Sequence, residues 1–413
     1  MDLSRDRLQF SSLYTMRFAG SFGFMAVMTL LPDYIEALGA TGITIGVFVT
    51  VLELARTVGI VPIAWAGDRY SKRTILLVGL VTSVLAYVAF ALISTIEGFL
   101  GARLLQGLGM TGVGLLGLAV IGDLAPADGR ATYIGKFNAY RMAAGIVAPL
   151  SAGALYAWVG FSGVFVVVAA LLAVATVGVW LFVQKDEESI EGFAFTDLAV
   201  NRRILTMVTF RAQYAVAVTL VRKWVPIFVG VGATQGGLAY GSVVVGAVLS
   251  AEKFTNMLTQ PFTGQLSDRF GRTPFIVLGG GAYGLIALSF PFISGAEGVF
   301  SIQAPVVGAI TGAVLAAIGL NGLLGIADGF REPASMALFA DEGKGEGIAS
   351  SFGIRSLVWK PGSVLAPLAG GWLMGAFGIE WVFFLGGAAA LSGVGLFLGI
   401  LLVQHGRGAL REW

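Results

Sequence analysis

Three observations predict an all-α integral membrane protein, with twelve transmembrane helices in two pseudo-symmetric six-helix bundles. The first is composition. Of 413 residues, 56% are hydrophobic and 12% charged, and the mean hydropathy is +0.85, far outside the range of soluble domains. The second is spacing: apolar runs of about 20 residues, the length that crosses bilayer hydrocarbon, recur along the whole chain. The third is duplication. Gly67-Asp68-Arg69-Tyr70-Ser71-Lys72-Arg73-Thr74 and Ser267-Asp268-Arg269-Phe270-Gly271-Arg272-Thr273 occupy matching places in the two halves, each a charged turn between two apolar runs.

In chain order the first six predicted spans cover 12–38, 44–66, 74–96, 98–122, 131–157 and 161–183. The second six cover 204–230, 238–266, 274–294, 304–327, 347–376 and 381–403. The run at 12–38 is too long for a secretory h-region and lacks a small-residue cleavage site, so it is expected to remain as the first helix. The charged turns close the second and eighth spans and open the third and ninth. The longest charged stretch runs from Lys185 through Asp186, Glu187, Glu188 and Asp197 to Arg202 and Arg203. It predicts a linker at 186–203 between an N-terminal bundle at 1–185 and a C-terminal bundle at 204–413.

Positive residues set the orientation. Arg5, Arg7, Arg69, Lys72, Arg73, Arg130, Lys185, Arg202, Arg203, Arg269, Arg272, Arg331, Lys344, Arg407 and Arg411 fall on one side, whereas the loops near 39–43, 158–162, 231–237 and 377–380 carry none. Both termini are therefore expected in the cytoplasm, with the chain in a cell membrane. The chain has no cysteine, and its single histidine, His405, lies in the C-terminal tail. No disulfide, metal site, cofactor or catalytic residue is expected. H-E-x-x-H and G-x-S-x-G motifs are absent, which argues against an intramembrane enzyme, and no P-loop offers coupling to ATP. Gly107-Leu108-Gly109-Met110-Thr111-Gly112 is a formal G-x-G-x-x-G, but it follows no strand and lies inside an apolar run, where small residues serve helix packing. The net charge of +2 says little about partners; membrane lipids and a small molecule are expected, nucleic acid is not, and the chain is expected to be a monomer.

The repeat extends beyond the turns. Arg17 and Pro32 match Arg211 and Pro226 at an offset of 194, and Glu53, Asp68 and Arg69 match Lys253, Asp268 and Arg269 at an offset of 200. Asp123, Ala148-Pro149 and Gly153 match Asp341, Ala366-Pro367 and Gly371 at an offset of 218. Two homologous bundles joined by a linker suit rocking about a midplane site, which is alternating access.

These residues resemble the major facilitator superfamily of secondary transporters over essentially the whole chain. The family loop signature G-x-L-A-D-R-x-G-R-R is met by Gly264, Leu266, Asp268, Arg269, Gly271 and Arg272; the first copy keeps Asp68, Arg69, Lys72 and Arg73 but has Ala64 and Ser71 for the glycines. The resemblance implies that Asp68, Arg69, Lys72, Arg73, Asp268, Arg269 and Arg272 gate motion between helices. Arg103-Leu104-Leu105-Gln106-Gly107-Leu108-Gly109 is similar to the R-x-x-Q-G-x-G element of drug:proton antiporters, and Ala148-Pro149-Leu150-Ser151-Ala152-Gly153 to the antiporter signature of the fifth helix. It further implies that Arg103 and its repeat mate Asn321 face a central cavity.

Charges within the spans are costly and usually kept for function. Basic residues dominate there: Arg17, Arg56, Arg103, Lys136, Arg141, Arg211, Arg222, Lys223, Lys253, Arg355 and Lys360, against Glu53 and Glu252, with Asp33 and Glu36 near an outer end. An excess of positive charge predicts a wet site for an anionic or amphipathic substrate. Candidate substrate contacts are Arg56, Arg103, Arg141, Arg222, Lys253, Asn321 and Lys360; candidate proton-coupling carboxylates are Asp33, Glu53 and Glu252. At about 1.5 Å per residue, Arg141 lies about 16 Å beyond Arg130, and Arg56 and Glu53 about 18 and 22 Å from Asp68. Arg17, Lys136, Arg211 and Arg355 are shallower, where long side chains snorkel to the interface. Glu53 and Arg56, three residues apart, share a helix face and can neutralise each other.

The expected function is secondary active transport by alternating access, with proton-coupled export of an organic anion or amphipathic small molecule. Uptake or exchange of a small organic anion is the alternative, as is a non-coupled lipid scramblase or receptor on the same fold.

Overall fold

Within hydrocarbon, backbone polar groups must be satisfied inside the segment, so apolar runs of membrane length become helices. The structure, a computed structural model, describes residues 3–126, 129–185, 202–304, 308–342 and 348–406. Among these residues α1 (Leu3–Thr29) and α2 (Leu31–Ala37) share the first predicted span, with a 48° bend where Pro32 opens α2. α3 (Ile43–Arg69), α4 (Lys72–Leu92) and α5 (Ile96–Leu124) follow. The Ser71 hydroxyl caps α4 by accepting from the Thr74 amide at 3.4 Å, and Thr95 caps α5 by accepting from Gly98 at 3.1 Å. The third span therefore ends at Leu92, earlier than predicted. α6 (Arg130–Phe182) holds both the fifth and sixth predicted spans, and its one non-helical residue is Gly160, at φ 65° and ψ −171°, a conformation that glycine adopts without strain.

α7 (Arg202–Gly230) begins with Arg202 and Arg203, two residues the sequence placed in the linker; the rest of that linker, 186–201, lies outside the described residues. α8 (Ser242–Phe270) and α9 (Thr273–Ser289) flank the second charged turn, where Gly271 takes φ 86°. A 3₁₀ segment (Phe290–Val299) leads into β1 (Ser301–Ala304) and β2 (Gly308–Thr311), which pair antiparallel with Ser301 opposite Thr311. α10 (Gly312–Glu342), α11 (Ile348–Phe377) and α12 (Glu380–His405) complete the chain.

The tenth span differs most from its prediction. Its first residues belong to the hairpin, and α10 continues to Glu342, so Arg331 lies in mid-helix and not in a cytoplasmic loop. Seven described helices have the length and apolar character to cross a bilayer, and the bent α1–α2 pair adds an eighth. α7 and α8 are less apolar because they carry Arg211, Arg222, Lys223, Glu252 and Lys253. The chain is a multi-pass membrane protein, with twelve α-helices among the described residues.

The contacts divide the chain into two units: Met1–Ala40 with Val47–Phe193, and Thr41–Gly46 with Ala194–Trp413. In unit 1, α6 packs on α1 and α4, and α4 packs on α5. In unit 2, α7 packs on α11 and α12, α9 on α10 and α12, and α8 on α10. The duplication also appears at atomic detail. A Cβ at Gly107 would meet the Leu52 carbonyl oxygen at 2.7 Å, and one at Gly325, its repeat mate, would collide with the carbonyl oxygen of Glu252. The formal nucleotide motif is likewise a packing surface: a Cβ at Gly109 would meet the Ser83 nitrogen at 2.8 Å, and one at Gly112 the Gly79 Cα at 3.3 Å. Close backbone approach replaces hydrophobic drive as the source of helix association in lipid.

Candidate functional site

Unit 2 contains a ladder of alternating charge drawn from four helices. Lys253 Nζ sits 2.9 Å from Glu252 Oε2, and Glu252 Oε1 accepts from Arg222 Nε at 2.6 Å. Arg222 Nη2 donates to Asp328 Oδ2 at 2.8 Å, and Asp328 Oδ1 accepts from Arg331 Nε at 3.0 Å. Arg331 also pairs with Glu332, and Glu332 pairs with Arg355. The ladder thus runs from α8 through α7 and α10 to α11, with four cations against three carboxylates. Arg211 flanks it, donating from Nε to the Arg355 carbonyl at 2.6 Å and lying 4.6 Å from the Trp359 ring centroid. The Arg331 guanidinium lies 4.3 Å from the centroid of Tyr214.

Such charges are tolerable only as a set. Removing an ion from water costs several kcal/mol, which is recovered only when neighbours of opposite sign and good geometry surround it. Each carboxylate here touches two cations. Glu252 and Asp328 are buried, Glu332 is a quarter exposed, and Arg222 and Lys253 are about one third open. The hydroxyls of Tyr214 and Tyr283, both on helices of this unit, are buried and find no hydrogen-bond partner among the described residues.

Unit 1 is built differently. Arg56 Nη1 pairs with Glu53 Oε2 at 3.2 Å across one turn of α3, as the spacing predicts. Arg17 on α1 feels the positive charges of Arg141 on α6 and Arg56 on α3, and its guanidinium lies 4.9 Å from the Phe137 centroid. Arg17, Arg56 and Arg141 thus come from three helices of this unit, and Glu53 is the carboxylate paired with Arg56. Asp33, half-buried, opens α2 just beyond the bend.

Arg103 is fully buried inside unit 1, where the resemblance implied a cavity-facing position. Its Nη1 donates to Gln106 Oε1 at 3.0 Å, and Gln106 Nε2 donates to the Tyr87 hydroxyl at 2.8 Å. Its guanidinium lies 5.2 Å from the Phe99 centroid and 6.0 Å from that of Phe90, and its Nε and Nη2 find no partner among the described residues. Asn321 is buried too, donating to the Val248 carbonyl at 2.7 Å and so tying α10 to α8. Arg211 and Arg355 are also buried, not snorkelling: the Arg355 carbonyl and Trp359 hold Arg211 inside, and Glu332 holds Arg355. Lys360 is half-buried on α11 and Lys136 lies 5.9 Å from the Tyr133 centroid.

Asp328 and Glu332 escaped the sequence reading, which places Arg331 in a cytoplasmic loop, because the apolar run ends just before them. Their signal was the spacing: a carboxylate, an arginine three residues on and a carboxylate four residues on place alternating charges on one helix face. The two charged turns make matching ion pairs. Lys72 Nζ reaches Asp123 Oδ2 at 2.7 Å, and Arg272 pairs with Asp341, the repeat mate of Asp123. Arg272 also contacts Asp268 at 3.4 Å, Arg73 donates to the Trp180 carbonyl, and Arg69 lies 5.8 Å from the Trp65 centroid. Asp68 is half-buried and Arg269 exposed.

Duplicated six-span halves, buried charge inside the spans and charged turns between them define a multi-pass membrane transporter of small molecules, not an enzyme. The model of the Major Facilitator Superfamily matches residues 13–322, and the chain belongs to that superfamily. It is similar to the multi-drug resistance efflux pump PmrA homolog of Lactococcus lactis, 26% identical over 397 residues that cover 92% of this chain and 89% of the relative. It is also similar to the gentisate transporter of Corynebacterium glutamicum, 29% identical over 192 residues, or 45% of this chain and 43% of the relative. Among solved structures, a POT family transporter in complex with 5-aminolevulinic acid superposes with a TM-score of 0.75, covering 94% of this chain and 95% of that one at 13% identity. The likeness to that structure concerns the fold alone.

Proposed function

We propose that the protein is a proton-coupled secondary transporter that exports an organic anion or amphipathic small molecule by alternating access. It acts as a monomer in the cell membrane with both termini cytoplasmic, and its two units, at 1–185 and 204–413, move about the linker. The observation that carries this reading is the cationic surplus inside the spans among the described residues: Arg17, Arg56, Arg103, Lys136 and Arg141 against Asp33, Glu36 and Glu53 in unit 1, and the ladder with one cation more than its carboxylates in unit 2. A site with surplus positive charge in low dielectric favours an anion. Arg56, Arg141, Arg222, Lys253 and Lys360 are the substrate contacts of this reading, with Arg103 and Asn321 supporting them from inside. Asp33, Glu53 and Glu252, now joined by Asp328 and Glu332, are the proton-exchanging carboxylates. Similarity to an efflux pump over most of the chain supports export.

The test uses purified protein in liposomes that contain a pH-sensitive dye, with organic anions and amphipathic drugs added under imposed proton gradients of either sign. Proton movement triggered by one substrate class, and lost in Glu53→Gln and Arg56→Gln, is the expected outcome. A substrate that crosses without moving protons would remove the coupling and leave uniport or exchange. The sign of gradient that drives accumulation separates export from uptake.

A further inference from the structure

Beside the arginines of unit 1 lies a group of tyrosines that the charge argument leaves unused. Tyr14 sits on α1 one turn before Arg17, and Tyr140 sits on α6 next to Arg141. Their rings stack at 5.2 Å between centroids and 16° between planes. Phe10 and Tyr133 extend the aromatic surface at a centroid distance of 4.2 Å.

Two observations separate this group from ordinary packing. Tyr140 keeps 43% of its surface exposed although it stacks on a buried ring, so one face of the stack is open. Tyr14 is 8% exposed, and its hydroxyl, enclosed by protein, finds no hydrogen-bond partner among the described residues. The buried Nε of Arg17 is in the same condition. A buried hydroxyl or guanidinium nitrogen without a partner costs about as much as a lost hydrogen bond. Two such donors, one turn apart on the same helix, are complementary to an acceptor that enters beside the open ring face.

The geometry points to an aromatic carboxylate as the substrate of this site. Its ring lies on the free face of Tyr140, and its carboxylate takes the hydrogen bonds of Tyr14 and Arg17 within the field of Arg56 and Arg141. This rests on the transport reading above and narrows the anion to a planar, ring-bearing one. An aliphatic acid of equal size would gain the charge term without the stacking term, and a neutral aromatic the reverse.

Equilibrium binding to the full chain in lipid nanodiscs tests it with three probes of matched size: benzoate, cyclohexanecarboxylate and benzamide. Benzoate is expected to bind about tenfold more tightly than cyclohexanecarboxylate, the value of one good aromatic pair, and more tightly still than benzamide. Tyr140→Leu should remove the preference for benzoate over cyclohexanecarboxylate, whereas Tyr140→Phe, which retains the ring, should keep it. Arg17→Gln should weaken both acids and spare benzamide. Equal affinity for the two acids in the unmodified protein, or no binding of benzoate, overturns the inference without recourse to any variant. The transport reading fails separately. If benzoate binds with this selectivity but no probe crosses proteoliposomes under either gradient, the site stands and transport falls; if aliphatic acids cross as readily as aromatic ones, transport stands and the aromatic assignment falls.

Discussion

Single residues in this protein divide by whether a partner neutralises them. Asp328 is the middle of the ladder, held by Arg222 on one oxygen and Arg331 on the other. Removing it strands two buried guanidinium groups, and breaking a buried pair in this way costs about 3–5 kcal/mol. Asp328→Ala is expected to lower the thermal unfolding temperature in detergent by several degrees and to abolish transport, with part of the stability returning in the double variant Asp328→Ala, Arg222→Met. Arg103 presents the opposite case, a buried cation among rings with Gln106 as its hydrogen-bond partner and no carboxylate in salt-bridge contact among the described residues. Exchange of such a group for an apolar one of similar volume tends to stabilise. Arg103→Met should therefore unfold at a higher temperature than the unmodified protein while transport in liposomes is lost. The charged residues embedded in apolar runs were visible in the sequence because each stands out against its neighbours. Asp328, Arg331 and Glu332 were not, since hydropathy alone reads a cluster of three charges after an apolar run as the end of a helix. Their mutual neutralisation is a tertiary property that keeps α10 helical through the cluster.

At the level of helices, glycine contacts set how closely the ladder can assemble. Gly325 on α10 lies directly against the backbone of Glu252 on α8, so its lack of a side chain is what lets Glu252 and Asp328 reach the same arginine. Gly325→Leu is expected to push α8 from α10, destabilising the protein by about 1–3 kcal/mol and reducing transport more than tenfold. Gly101→Ala, where a Cβ meets nothing within 4 Å, serves as the neutral control in the same thermal and transport measurements. The number and order of helices were legible from apolar runs and charged turns. Their ends were not: caps at Ser71 and Thr95 and the pairing of β1 with β2 depend on side-chain hydrogen bonds and strand pairing that hydropathy does not register. The break at Gly160 fell where predicted, inside an interval reduced to one residue.

Across the whole molecule the duplication organises the pairing. Lys72–Asp123 and Arg272–Asp341 fasten the same two helices in each half, and the offsets of 200 and 218 that relate them were readable before any coordinates. Reversing one lock by Asp123→Lys should impair substrate counterflow, and Lys72→Asp added to it should restore a part, as a double-mutant cycle measures. The halves have diverged where chemistry differs: position 53 is a glutamate and its mate 253 a lysine, 103 an arginine and its mate 321 an asparagine. Repetition therefore revealed the architecture, while the pairing of charges into the ladder of unit 2 had to be seen in three dimensions.

The ladder also makes unit 2 an electrical object. With Lys253, Arg222, Arg331 and Arg355 ionised against Glu252, Asp328 and Glu332, it carries one net positive charge that belongs to the unit as a body. A charge crossing the full field of a 100 mV membrane exchanges about 2.3 kcal/mol with it, and a body moving through a fraction of the field exchanges that fraction. Voltage therefore acts on the protein itself as well as on its cargo. A brief capacitive current should accompany a voltage step across planar membranes holding the empty protein, before any substrate is added.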